Sequence, residues 1–135
     1  MQDSVQVEVK TMKTIHIRTD NISMQAELNE NPTSLKIWEA LPIEGRANLW
    51  GAEIYFEIPV DAEVEPDARQ EVEIGELGYW PAGHAFCIFF GPTPVSRGAK
   101  PRAYSPVNIL GRVLGDATQF RTVANNQKVT LERVE

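Results

Sequence analysis

The sequence predicts a mainly β (all-β) fold: one closed antiparallel β-barrel, spanning residues 1–135, with two short helices. Three observations lead to this prediction. The chain has 135 residues, a length that suits a single domain. Most apolar residues fall in short runs that alternate with polar residues, the pattern of half-buried strands. These runs recur at close spacing between turn-forming residues, and a closed barrel would leave none of their edges unpaired.

The N-terminal third predicts strands followed by a helix. Strands are expected at residues 5–9, 12–18 and 22–28. Asn31 then provides a helix cap and Pro32 suits the first helical position, so a helix is predicted to start here and to end before the next proline. Leu35, Trp38 and Leu41 recur at three-residue spacing, which predicts one apolar helix face packed on the sheet.

The remainder of the chain is predicted to be almost wholly β. Strands are expected at residues 47–50, 53–58, 71–74, 77–80, 85–90, 107–114 and 128–134. The acidic residues 59–69 contain two prolines and predict an irregular loop. Residues 91–106 hold four prolines and two glycines and predict a long loop, a kind of segment that is often functional. Residues 116–123 predict the second short helix.

The composition excludes several classes of function. Thirteen Lys and Arg against nineteen Asp and Glu give a net charge of −6, the opposite of a nucleic-acid-binding surface. The single cysteine, Cys87, excludes an intrachain disulfide and any multi-cysteine metal site. The longest apolar run, residues 85–91, is far shorter than a bilayer span. We therefore expect a cytoplasmic protein with no metal, no cofactor, and neither nucleic acid nor membrane as a partner.

The charges are distributed unevenly along the chain. Residues 57–76 contain eight acids and one base, whereas residues 97–112 contain four bases and no acid. Solvated loops and strand surfaces account for both segments. The alternative is that the basic segment forms a rim that attracts an anionic ligand. Both interpretations stay open at the level of sequence.

Three motifs carry a resemblance to a known family. They are WGAEIYF at residues 50–56, GELGYWPAG at residues 75–83 and FFGPTP at residues 89–94. In this order and spacing they resemble a family of small prokaryotic cyclophilin-like proteins whose function is not established. The order of the predicted elements is also similar to that of a cyclophilin, which implies the cyclophilin barrel over nearly the whole chain but assigns no activity.

The resemblance also argues against ordinary prolyl isomerisation. Cyclophilins use an arginine on the third strand, together with a glutamine and a phenylalanine that follow it. The matching residues 48–56 contain no arginine; Glu53 is found there instead, and Arg46 lies a few residues upstream. Isomerisation requires a group that draws electron density from the twisting amide, and a carboxylate cannot do this.

Two residues are candidates for catalysis. Glu53 lies among aromatic residues, where burial raises the pKa of a carboxyl group and makes it a useful acid or base. A solvent-facing strand glutamate is the alternative. His84 follows a Pro-Ala-Gly turn and is either a general base or an ordinary surface histidine. The sequence has no Gly-x-Ser-x-Gly, phosphate-loop or dinucleotide-binding motif.

The aromatic residues predict a ligand-binding groove at the position of the cyclophilin active site. Core packing accounts for most of them, and the others can line an apolar pocket with a few polar groups. The residues expected in this groove are Glu53, Tyr55, Tyr79, Trp80, Phe89 and Thr93. Residues 91–106, including Tyr104 and Ser105, are expected to form its rim.

The leading hypothesis is that this groove binds a small molecule or a short peptide. Three alternatives stay open: a weak or atypical prolyl isomerase, another reaction that uses Glu53 and His84, and an interaction module that pairs into a homodimer through a strand edge.

Overall fold

Antiparallel strands make up most of the fold. The computed structural model of the protein describes residues 13–134, so the predicted strand at residues 5–9 lies outside the described residues. The strands are β1 (Lys13–Arg18), β2 (Ser23–Leu28), β3 (Ile43–Arg46), β4 (Asn48–Leu49), β5 (Glu53–Glu57), β6 (Arg69–Glu71), β7 (Glu76–Trp80), β8 (Ala85–Phe89), β9 (Arg102–Val113) and β10 (Lys128–Arg133). The helices are α1 (Pro32–Ala40) and two 3-10 helices, Pro81–Gly83 and Ala117–Thr122.

The predicted closure of the barrel is not confirmed. The strands follow the order β3-β10-β1-β2-β9-β7-β8-β5-β4, and β6 pairs with β9 beside this path. Within residues 13–134, no strand pairing joins the two ends of this order, β3 and β4. The reason is that only Ala47 separates these two strands, which leaves no room for the turn that antiparallel partners need. The chain itself, rather than hydrogen bonding, therefore connects the two ends of the sheet.

Most of the predicted strands are confirmed, and three differ for local reasons. The sequence pattern missed β3, because Gly45 interrupts its apolar alternation; the ring of Phe56 packs there, and a Cβ atom on residue 45 would lie 2.5 Å from it. Strand β6 begins two residues earlier than predicted. Strand β9 begins at Arg102 rather than at residue 107, because a proline at a strand irregularity does not end the strand.

The first helix is confirmed, but its buried face differs from the prediction. Asn31 caps it by accepting a hydrogen bond from the Ser34 amide at 2.8 Å. Ile37 is fully buried, whereas Leu35 is 41% exposed. The face toward the sheet carries Thr33 and Ser34, whose hydroxyl groups are hydrogen-bonded. The predicted second helix is the 3-10 helix Ala117–Thr122. None of the helices in the described part of the chain is long and apolar enough to cross a membrane.

Two apolar cores lie on opposite faces of the strands that carry the site. Alternation along β5 and β8 sends Phe56, Phe86 and Ile88 into the main core. Their neighbours Cys87 and Phe89 face the other way, into a second and smaller core. Residues of β8 and β9, together with Val72, complete this second core: Ala85, Cys87, Phe89, Ala103 and Val107. The first half of β9 pairs with β6 and lies over this face of the sheet.

Candidate functional site

A pocket of about 160 Å³ lies beside the second core. It is lined by Trp50, Glu53, Tyr55, Trp80, Ala103, Tyr104 and Val107. Four of these side chains are aromatic, and Glu53 is the only Asp, Glu, Lys or Arg among them. A cavity of roughly 150 Å³ holds a benzene-sized molecule, whereas pockets for drug-sized ligands start near 300 Å³. The pocket therefore has the size of a small ligand or of one chemical group of a larger one.

A tight hairpin turn places Trp50 and Glu53 at the pocket. The two residues exchange backbone hydrogen bonds, from the Trp50 amide to Glu53 O at 3.0 Å and from the Glu53 amide to Trp50 O at 3.2 Å. Gly51 follows Trp50 with φ +59°, a conformation that hairpin turns of two residues require and that glycine adopts without strain. Ala52 is hydrogen-bonded in both directions to the segment 90–92, so this segment holds the turn in place.

Replacing Gly51 with Ala is expected to destabilise the protein by about 2–4 kcal/mol, from backbone strain and from overpacking. A Cβ atom there would lie 2.8 Å from Pro94 Cδ and 2.9 Å from Thr93 Cα. Urea denaturation measures the change. Gly98→Ala is the matched control, because its added methyl group meets nothing within 4 Å and should change stability by less than about 0.5 kcal/mol. Equal effects of the two substitutions would contradict this account of the turn.

The four aromatic rings form the walls of the pocket. Tyr104 lies between Trp50 and Trp80, with ring centroids 6.1 and 6.0 Å away and interplanar angles of 73° and 74°. Tyr55 meets Trp80 at 6.2 Å and 84°. Each ring is therefore nearly perpendicular to its neighbour, the edge-to-face geometry that aromatic pairs favour. The result is a box of aromatic walls rather than a stack.

A bulge in β9 directs Tyr104 toward the pocket. Arg69 pairs with Val107, and Glu71 pairs with Arg102. Between these two pairs, β6 advances by two residues while β9 advances by five. Bulges of this kind redirect side chains near functional sites. The side chain of Gln70 holds the bulge, because its Nε2 donates to Ala103 O at 2.9 Å and to Tyr104 O at 3.2 Å.

Trp80 is oriented by a hydrogen bond to the same segment. Its Nε1 donates to Ser105 Oγ at 2.8 Å. Tyr104 itself is 69% exposed although its ring contacts both tryptophans. It therefore stands at the mouth of the pocket, outside both cores.

Glu53 is a buried carboxylic acid in apolar surroundings. Glu53 is only 5% exposed. Within residues 13–134, its Oε1 is the one buried side-chain polar atom that lacks a hydrogen-bond partner. Burial raises the pKa of Glu53 to about 7, and interaction with the Cys87 thiol opposes this rise only in part. Near neutral pH the carboxyl group is therefore divided between its protonated and ionised forms.

Cys87 is not a nucleophile in this setting. Its side chain is fully buried on β8, in the register position opposite Tyr55. Burial, together with the neighbouring Glu53 carboxylate, raises the pKa of the Cys87 thiol well above its ordinary value. Because the thiolate is the reactive form, Cys87 serves as a small apolar residue of the second core.

The structure brings together three of the six residues predicted for the groove. Glu53, Tyr55 and Trp80 line the pocket. Tyr79 lies in the main core instead and donates from its hydroxyl group to Val60 O at 2.6 Å. Phe89 is buried in the second core. Thr93 braces the segment before β9, where its amide donates to Ser96 Oγ at 2.9 Å.

Trp50 and Tyr104 complete the pocket although neither is among the six predicted groove residues. Trp50 was visible in the sequence as the aromatic neighbour of Glu53 in the WGAEIYF motif. Tyr104 belongs to the segment predicted as a rim, and only the β9 bulge brings it between the two tryptophans.

The two candidate catalytic residues lie at opposite ends of the same strand pair. Glu53 is in register with Phe89, whereas Glu57 is in register with Ala85, the residue that follows His84. Four residue steps along a strand span roughly 13 Å. His84 instead lies in a left-handed backbone conformation with its Nε2 3.3 Å from Asp61 Oδ1. The geometry therefore does not place Glu53 and His84 on one reacting group.

The acidic and basic segments lie beside each other. Lys100 Nζ is 2.9 Å from Glu73 Oε2 at the surface, and Arg102 donates to the side chain of Gln70 at 3.1 Å. Arg112 is in register with Glu27 on one side and Glu76 on the other. Three of the four basic residues thus lie beside acids or polar groups of neighbouring segments, which reduces the support for a rim that attracts anions. Across residues 13–134, no group of three or more His, Cys, Asp or Glu side chains is arranged to hold a metal ion.

Comparisons with known proteins agree with the architecture. The sequence model of the cyclophilin-like family matches residues 13–132. The solution structure of a hypothetical protein from Archaeoglobus fulgidus is similar, with a TM-score of 0.79 and 37% sequence identity, over 96% of this chain and 100% of that chain. No curated protein matches the chain. The resemblance drawn from the three sequence motifs is confirmed, and the chain belongs to the cyclophilin-like family.

Proposed function

We propose that the protein binds a small molecule, or one side chain of a short peptide, in the aromatic pocket. The observation that carries this proposal is a concave apolar pocket with one carboxylate, Glu53, whose Oε1 has no hydrogen-bond partner in the protein. Ligand pockets commonly combine apolar walls with a few polar groups that fix orientation. The Glu53 carboxylate belongs to the lining of this pocket, so a charged or hydrogen-bonding group of a bound ligand would lower the cost of burying it.

Conventional prolyl isomerisation has little support in this pocket. Its lining contains no arginine or lysine to polarise a twisting amide. Arg46, the candidate substitute upstream, donates to Asn126 O at 3.3 Å on an exposed part of the surface. We therefore expect binding without isomerisation.

Amide NMR titration with a mixed panel of small cations, anions, neutral heterocycles and proline peptides tests the binding proposal. The expected result is a set of shifts confined to residues 50–55, 80 and 103–107 with at least one class of compound. Tyr104→Ala should weaken that binding and still fold, because Tyr104 is 69% exposed. Leu114→Ala, another exposed apolar residue, is the matched control. Failure of every class to shift the pocket amides would overturn the proposal.

Exchange spectroscopy on an Ala-Pro peptide tests the absence of isomerase activity. We expect the exchange between its cis and trans signals to keep its uncatalysed time constant, tens to hundreds of seconds, when the protein is present. Acceleration that is lost in Glu53→Gln would instead assign an isomerase reaction to this pocket and contradict the proposal of binding alone.

A further inference from the structure

The pocket combines two features that together select one class of ligand. Its walls are four aromatic rings set nearly perpendicular to one another. Its one acidic side chain, Glu53, is buried and has an oxygen without a partner. Aromatic faces carry partial negative charge and attract cations, most strongly when water is excluded. Both the walls and the acid therefore favour positive charge.

We propose that the ligand is a small organic cation, an alkylated ammonium group, held between the aromatic rings of Trp50, Tyr55, Trp80 and Tyr104 and the carboxylate of Glu53. This inference rests on the proposed function and specifies its ligand. The pocket of about 160 Å³ accommodates a trimethylammonium-sized head group but not a nucleotide or an extended peptide.

The electrostatics of the pocket disfavour anionic ligands and neutral ligands. An anion would lie against the Glu53 carboxylate with no arginine or lysine among the lining residues to offset the repulsion. A neutral apolar ligand would fill the pocket but would offer the buried Glu53 carboxylate neither a hydrogen-bond donor nor an opposite charge. A cation satisfies the aromatic walls and the carboxylate together, and it favours the ionised form of Glu53.

The supply of hydrogen-bond acceptors favours an alkylated ammonium over a primary one. A primary ammonium group carries three N–H donors, each of which needs an acceptor when it is buried. Among the pocket-lining side chains, the acceptors are the Glu53 carboxylate and the hydroxyl groups of Tyr55 and Tyr104, and Glu53 is the only one of these residues that is buried. Alkyl groups replace N–H donors and contact the aromatic rings instead, so a tertiary or quaternary ammonium leaves few or no donors unsatisfied.

Choline and its carbon isostere, 3,3-dimethylbutan-1-ol, provide a direct test. The two molecules have nearly the same shape and differ in the charge of the central atom. We expect choline to bind at least tenfold more tightly at pH 8, with amide shifts at residues 50–55, 80 and 103–107. Equal or tighter binding of the isostere would overturn the cation inference while leaving a ligand pocket in place. If neither choline nor the trimethyllysine peptide described below shifts these amides, the cation inference is wrong, and the mixed panel described above decides the proposed function separately.

Three variants test the roles of individual residues in choline binding. Glu53→Gln keeps the shape and removes the charge, and it should weaken binding at least tenfold. Tyr104→Ala removes one aromatic wall and should weaken binding by about 3- to 30-fold, the range of one cation–π contact. Tyr104→Phe keeps the ring and should restore most of the affinity that Tyr104→Ala loses. Unchanged affinity in both Glu53→Gln and Tyr104→Ala would overturn the inference.

Two sources of the alkylated ammonium group can be separated in the same assay. A free metabolite-like cation is represented by choline, and a protein side chain by a pentapeptide that contains trimethyllysine. The unmethylated peptide is the control. Tighter binding of either methylated probe than of its uncharged or unmethylated counterpart supports the inference and identifies the source. Tighter binding of the unmethylated lysine peptide would contradict the argument from acceptor number.

Discussion

Glu53→Gln is expected to raise the free energy of unfolding at pH 8 by up to about 3 kcal/mol in the ligand-free protein. Burial raises the pKa of the Glu53 carboxyl group from 4.5 to about 7 in the folded state. Each pKa unit corresponds to about 1.4 kcal/mol. The rise in the pKa of Glu53 therefore means that the ionised side chain lowers the stability of the folded protein by about 3 kcal/mol. Glutamine has nearly the same shape and carries no charge to desolvate, so the variant avoids this cost; burial of its amide N–H donors, which does not depend on pH, subtracts from the gain.

The sign of the effect sets its pH dependence. In the unfolded chain the carboxyl group loses its proton near its ordinary pKa, whereas the folded protein retains the proton up to about pH 7. The folded state therefore binds more protons between these values, and wild-type stability falls as the pH rises through this interval. Above pH 7 the cost is complete. Below pH 4.5 both states are protonated, and the variant should gain no stability over the wild type.

Few other groups titrate against Glu53 in this interval. The titratable side chains that face it are the Cys87 thiol on β8 and the phenols of Tyr55 and Tyr104 at the pocket. The pKa of Cys87 is raised well above its ordinary value, so this thiol stays protonated throughout. The pH dependence that the substitution removes is therefore that of the Glu53 carboxyl group.

Urea denaturation at pH 4, 6 and 8 measures this prediction. Glu57→Gln is the matched control, because Glu57 lies on the same strand with an exposed side chain; its effect should stay within about 0.5 kcal/mol at every pH. A Glu53→Gln protein that gains nothing at pH 8, or that gains the same amount at pH 4 and pH 8, would contradict the assignment of a buried and unpaired carboxyl group.

A residue that lowers stability at physiological pH is a mark of a functional site. The buried residues of the second core are apolar, as Cys87 and Phe89 show. Glu53, on the neighbouring strand, is buried although its side chain is ionisable. Functional sites commonly retain such costs because the stabilising substitution removes the activity. On this argument, Glu53→Gln trades affinity for the ligand against stability of the empty protein.

The sequence alone predicted the strands whose apolar residues alternate and failed where glycine or proline breaks the pattern. Strands β1, β2, β5, β7 and β10 are of the first kind, and β8 was predicted from its continuous apolar run. Gly45 and Pro106 concealed β3 and the first half of β9, since both residues suggest turns. The structure accommodates them because Phe56 packs over Gly45 and because Pro106 lies in the irregular part of the β6–β9 pairing. Barrel closure could not be judged from sequence, because it depends on which distant strands pair.

The sequence motifs and the alternation of apolar residues predicted only part of the site. Glu53 and Tyr55 are two residues apart on one strand, so they face the same side of the sheet. Alternation does not reveal which side is the main core, and for this reason Tyr79 looked equivalent to Trp80 in the sequence. Phe89 does face the pocket side of the sheet but is fully buried in the second core. Tyr104 is separated from Trp80 by more than twenty residues. Its place in the pocket depends on a bulge that Gln70 holds by hydrogen bonds to the backbone.

A buried network around Asn108 joins the acidic loop to the helix. Asn108 is fully buried, accepts a hydrogen bond from the Glu65 amide at 2.8 Å, and donates to Thr33 Oγ1 at 3.0 Å and to Glu63 O at 2.9 Å. Thr33 in turn donates from its amide to Glu65 Oε2 at 3.0 Å, which places a carboxylate at the helix N-terminus. One acid of the acidic segment therefore has a structural role.

Asn108→Ala is expected to destabilise the protein by about 3 kcal/mol. The substitution removes three hydrogen bonds worth about 1 kcal/mol each and leaves buried partners unsatisfied. Asn125→Ala is the control, because Asn125 is exposed and its side chain accepts one hydrogen bond, from the Leu49 amide at 3.2 Å. Its cost should be below about 1 kcal/mol. Comparable losses in the two variants would contradict the role assigned to the buried network.

Asn108→Asp separates the loss of donors from the loss of volume. The side chain keeps its size, but the amide that donates to Thr33 Oγ1 and Glu63 O becomes an oxygen that faces these two acceptors. Ionised, it also lies near the Glu65 carboxylate, which Thr33 contacts. Protonation restores one donor and removes the buried charge, so the variant should be less stable at pH 8 than at pH 4 relative to the wild type. A loss that does not depend on pH would instead assign the role of Asn108 to packing.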